Sequence, residues 1–156
     1  MRTLRAKLAC VLIFGALPAL AVEQPIPFDP ARWTLSGDMK IETYMGRTAL
    51  RMRSGEAVAK DVEFLDGTVE FDLAVGTRRN FPMIGLRRQG EGEYEEFYLR
   101  THKSELPDAV QYVPAYQGVG GWQLYHGPGF TARASFARNE WMPVRIVLSG
   151  TKAAVF

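Results

Sequence analysis

The ten residues DGTVEFDLAV, Asp66–Val75, decide the fold class. Val69, Phe71, Leu73 and Val75 alternate with Thr68, Glu70 and Asp72, so an extended chain of period two buries one row and leaves the other wet. A helix would mix the two rows on every face. Asp66-Gly67 supplies the turn that opens the strand. Toward the C-terminus the same rule repeats. Residues 76–80 read as a basic loop, Ile84 and Leu86 alternate with Gly85 and Arg87, residues 89–93 (QGEGE) turn, and Phe97 and Leu99 continue the buried row. Val110–Val113, Trp122–Tyr125 and a strand carrying Val144, Ile146 and Leu148 follow, separated by glycine turns, and Ala153–Phe156 begins one more. Trp141, Phe71 and Tyr112 are expected in the core.

Toward the N-terminus, Met39, Ile41 and Thr43 alternate with Lys40, Glu42 and Tyr44, the chain reverses at Met45-Gly46-Arg47, and Leu50 and Met52 answer. This is a hairpin. Ser54-Gly55-Glu56 reads as a second turn and Val62–Leu65 as a short strand. Further out, Asp29-Pro30 offers an N-cap and a helix-initiating proline for a single turn, with Trp33 as an anchor for this lead-in. Roughly ten short strands without an amphipathic helix mean an all-β sandwich or barrel. The final apolar run stops in mid-pattern. Because natural sheets avoid raw edges, the domain is expected to continue past Phe156.

The first seven residues carry Arg2, Arg5 and Lys7, an apolar run follows to Leu20, and Ala19-Leu20-Ala21 offers the small residues that a signal peptidase requires. Residues 1–21 therefore read as a secretory signal, and the mature protein as secreted or periplasmic. The run is too short for a membrane anchor. Of 19 basic residues three lie in the leader, leaving 16 against 17 acidic ones and a net charge of −1. The overall basic excess thus gives no reason to expect a nucleic-acid partner. The single cysteine, Cys10, leaves with the leader, which excludes disulfides, a thiol nucleophile and thiolate metal sites. Residues 22–156 are expected to form one domain.

Several segments together suggest a family: DGTVEFDLAV, FPMIGLRR, YEEFYLRTHKSELPDAVQY, GWQLYHGPGF and NEWMPVRIVLSGTKAAVF. Across most of residues 55–156 the chain resembles the laminin-G-like branch of the concanavalin A-like lectin/glucanase domains of secreted bacterial proteins. The resemblance implies a two-sheet antiparallel jelly-roll sandwich whose concave front sheet typically holds sugars. It says little about activity, because this fold serves lectins, glycosidases, lyases and adhesion modules alike.

Strand phase places Arg87, Glu96, Tyr98, Arg100 and His102 on one face away from the core. Arginines give directional bonds to carboxylates and sugar hydroxyls, and a tyrosine adds a flat apolar surface. Gln111, opposite in phase to Tyr112, and Trp122, after the glycine-rich QGVGG turn, complete a groove in which the ligand-binding residues are Arg87, Tyr98, Arg100, Gln111 and Trp122. Arg87, Glu96, Tyr98, Arg100 and His102 would equally suit an internal ion-pair network, with Glu96 neutralising Arg87 or Arg100. The expected function is recognition of a carbohydrate or a uronic acid-containing polymer on the concave sheet, without a cofactor.

An enzyme reading makes the groove a glycoside hydrolase or lyase with Glu96 as catalytic acid and Glu95, Asp108 or Glu70 as its partner. Two carboxyls would then flank an open cleft, about 5 Å apart for retention and about 6.5–9.5 Å for inversion. Glu70 and Asp72 begin an ExDxxE-like pattern, but Val75 stands where the third carboxylate belongs, and strand alternation alone accounts for both. A third reading is a protein-interaction module with an exposed apolar patch. His102 and His126 lack metal-ligand spacing, and Ser104 and Ser135 lack a nucleophile elbow. Calcium would need clustered oxygens, for which only Asp108 and nearby carbonyls offer themselves.

Overall fold

The computed structural model describes residues 23–156; the expected export signal lies outside them. Among the described residues there is no α-helix, only ten strands and two three-residue 3-10 turns, and every strand pairing is antiparallel. Contacts divide the chain between Asp61 and Val62 into two compact units, where the sequence suggests one domain.

The first unit is a long hairpin. Strand β1 (Trp33–Tyr44) pairs with β2 (Arg47–Ala59) across a two-residue turn, Met45-Gly46, whose φ angles of 46° and 78° are those of a tight turn matched to strand twist. Asp29 caps the 3-10 turn Pro30–Arg32 by accepting from the Ala31 amide at 2.9 Å. The Trp33 indole donates to the Pro27 carbonyl at 2.9 Å and its ring packs on Phe28, both within the lead-in itself. Ser54-Gly55-Glu56 is not a turn. Gly55 faces Gly37 across the pair and both have positive φ, so two residues without side chains let the strands continue past each other to Ala59.

The second unit holds two sheets. One has the order β10 (Lys152–Val155), β9 (Trp141–Ser149), β3 (Gly67–Ala74). The other runs β4 (Met83–Gly90), β5 (Glu93–Leu99), β6 (Val110–Tyr116), β7 (Val119–Gly120), and β8 (Thr131–Ala132) shares with β7 the free edge of β6. Apolar rows from both sheets meet in one core of Phe97, Leu99, Val110, Ile146 and Leu148, with Phe71, Leu73, Ile84, Leu86 and Tyr112 packed against it. The alternation of Asp66–Val75 is thus realised: Val69, Phe71 and Leu73 are half-buried and Val75 is buried, while Thr68, Glu70 and Asp72 are exposed.

Three local expectations change. Val62–Leu65 is irregular rather than a strand, and Trp122–Leu124 forms a turn in which the amides of Leu124 and Tyr125 both bond the Gly121 carbonyl. Trp141 is half-buried and outside the core cluster, because on β9 it shares the phase of Pro143 and Arg145, opposite to Val144, Ile146 and Leu148.

Candidate functional site

The strand phase of β5 separates two sets of side chains. Opposed residues of an antiparallel pair share a face, so the pairs Phe97/Tyr112 and Leu99/Val110 put Glu95, Phe97 and Leu99 on the inner face. Glu96 and Tyr98, opposite Val113 and Gln111, take the outer one. Four of the five expected ligand residues gather there. The guanidinium of Arg100 lies over the Tyr98 ring, 4.9 Å from its centre, and donates to the Asp108 carbonyl at 3.0 Å and to the Gln111 side-chain oxygen. Gln111 is fully buried and donates both amide hydrogens, to the Trp122 carbonyl at 2.6 Å and to the Tyr125 carbonyl. Trp122 itself is 54% exposed.

Arg87 is not in this group. The pairing of β4 with β5 shifts register between Leu86 and Gly90, and Arg87 adopts a left-handed φ of 50°. Such a bulge re-aims a side chain. Its guanidinium bonds the Leu65 carbonyl at 2.6 Å, Asp66 at 2.7 Å and the Gly150 carbonyl at 2.8 Å, and meets the inward-facing Glu95 at 3.4 Å. Arg87 therefore ties together the turns that precede β3 and follow β9. Its carboxylate neighbours hold it above the ordinary guanidinium range against the opposing effect of burial.

A cavity of about 820 Å³ opens between the two sheets, with Phe97, Leu99, Tyr112 and Leu148 in its walls and Arg87 and Glu95 at its polar side. Burial and the neighbouring Glu95 push the Tyr112 hydroxyl up to about 12. None of Tyr98, Arg100, Gln111 and Trp122 lines this cavity.

No family model, no curated protein and no solved structure matches this chain. The site must be read from its own chemistry.

Two of the carboxylates named as partners for Glu96 do not share its face. Glu96 and Glu95 are consecutive on β5 and point to opposite faces, and Glu70 belongs to the other sheet, bonded to Arg145 at 3.0 Å. Asp108 is held by Lys103 at 2.5 Å, a bond that keeps its carboxyl below the usual range. Glu96 is half-buried opposite Gly85 and Val113, and burial raises its carboxyl. Among the described residues no three His, Cys, Asp or Glu side chains converge as a metal site would need.

Phe81 and Arg79 escaped the sequence, whereas His102 did not. Phe81 stacks on Tyr98 with ring centres 5.5 Å apart and planes within 3°, and His102, in the 3-10 turn Thr101–Lys103, sets its edge against Phe81 at 5.0 Å. Arg79 lies over the other partner of that stack, 4.9 Å from the centre of Phe81. The basic loop at 76–80 was the available signal. What alternation could not supply was where an irregular loop folds back.

Proposed function

We propose that this protein is a secreted or periplasmic glycan-recognising module, exported by its N-terminal leader, in which the second unit is a laminin-G-like, concanavalin A-like jelly roll. Carbohydrate lies on the outer face of the β4-β5-β6 sheet, against Tyr98 and Trp122, and recognition calls for no cofactor. The observation that carries this reading is the Gln111 bracket. A buried amide fixes the carbonyls of Trp122 and Tyr125 and accepts from Arg100, so a half-exposed indole is presented on a fixed turn beside a stacked tyrosine. Pyranose rings offer apolar C–H faces to such aromatic surfaces, and a platform held in place before binding loses little entropy when the sugar arrives. Hydrolysis or elimination in the same groove has less support, because Glu95, the carboxylate next to Glu96 on β5, points to the opposite face.

Retention on a responsive polysaccharide tests the reading. Trp122→Ala should lose about five- to thirtyfold in affinity, since stacking on one aromatic ring contributes on the order of 1–2 kcal/mol. Trp122→Phe should keep most of it, and circular dichroism should show both variants folded. Equal retention of Trp122→Ala and the parent would remove Trp122 from the site.

A further inference from the structure

Ion pairing is uneven over the second unit. Away from the Tyr98 face, arginines meet carboxylates: Arg87 with Asp66 and Glu95, Arg133 with Glu105, Arg145 with Glu70. Beside Tyr98 they do not. Arg100 is only 8% exposed, yet its partners are a backbone carbonyl and the neutral amide of Gln111. Arg138 donates to the carbonyls of Gly76 at 2.6 Å and Thr101 at 3.0 Å. Arg79, exposed in its loop, lies over Phe81. The one carboxylate bonded within this group, Asp108, is taken by Lys103.

Three arginines therefore converge around the Phe81–Tyr98 stack and His102 with neutral acceptors where carboxylates would ordinarily sit. Their common field is felt at His102, whose imidazole is held below its usual range by burial and then by Arg79, Lys103, Arg100 and Arg138. The buried Nδ1 of His102 has no hydrogen-bond partner. Clustered guanidinium groups with neutral acceptors suit a planar anion, whose charge they take in directional bonds.

Resting on the glycan reading above, we infer that the ligand is an acidic glycan, with its anionic group seated between Arg79, Arg138 and His102. Carboxylate and sulfate share this chemistry, and the probes separate them.

The test compares binding of the full chain to dextran, dextran sulfate and polygalacturonate at two salt concentrations. Both acidic polymers, or one of them, should bind at least about tenfold more tightly than dextran, and the preference should shrink as salt rises. Preference for polygalacturonate alone identifies a carboxylate seat, and preference for dextran sulfate alone a sulfate seat. Arg79→Gln and Arg138→Gln should each remove most of that preference, because a hydrogen bond to a charged group is worth on the order of tenfold in binding. Arg145→Gln, on the other sheet, removes the same charge and should leave the preference intact. If the Arg145 variant loses as much as the other two, attraction is diffuse and no seat exists. If dextran binds as well as the acidic polymers and depends on Trp122, the acidic inference falls while the glycan reading stands. If none of the three binds, both fall.

Discussion

Gln111 occupies a strand position on the outer face of β6, where a polar side chain ordinarily meets water, yet it is fully buried. Burial of an amide is tolerable only if its donors and acceptor are satisfied, and here a guanidinium and two carbonyls do so. Glu96, on the neighbouring strand, shows the opposite condition, for burial alone raises its carboxyl. The sign of its contribution follows. The native state binds the proton at a pH where the unfolded chain has lost it, so stability falls as pH rises from the usual carboxylate range through the raised value. Glu96→Gln should therefore be more stable than the parent at neutral pH, with that advantage shrinking toward pH 4, as read by chemical denaturation at both. An advantage of the same size at both pH values would mean that ionisation of Glu96 has no part in it.

At the scale of elements, the long hairpin depends on a place where side chains are absent. A Cβ on Gly55 would lie 2.0 Å from the Ser36 carbonyl oxygen, and the residue has a φ of 106°. Gly55→Ala should destabilise the β1–β2 pairing by about 1–3 kcal/mol, through strain at a conformation that L-residues avoid and through displacement of the facing strand. Hydrogen exchange at amides beyond the glycine pair, from Leu35 and Ala57 outward, would accelerate. Gly90→Ala serves as the control, because nothing lies within 4 Å of its added methyl. Equal exchange in the two variants would show that the strands absorb the clash. The bulge in β4 is the second device of this kind. It swings Arg87 into a network with Asp66, Glu95 and Gly150 and leaves the outer face to Tyr98.

For the whole molecule, the core of Phe97, Leu99, Val110, Ile146 and Leu148 lies entirely C-terminal to Val62. A fragment of residues 62–156 should accordingly unfold in one cooperative transition by itself, and Ile146→Ala within it should cost about 2–5 kcal/mol, because that side chain has no exposed surface. A fragment without a cooperative transition would show that the second unit needs residues before Val62 to fold. Strands β3, β4, β5, β6, β9 and β10, the buried rows of β3, β5 and β9 and the hairpin at Met45-Gly46 were legible in the sequence, because alternation and turn chemistry are local properties read two to four residues at a time. That Tyr98 and Gln111 share a face was legible for the same reason. The departure of Arg87, the passage of the strands at Gly37 and Gly55, and the gathering of Arg79, Phe81 and Arg138 beside Tyr98 were decided by the tertiary structure. A bulge, a glycine crossing and a loop folding back each depend on partners distant in the chain, and no periodicity in a single segment encodes them.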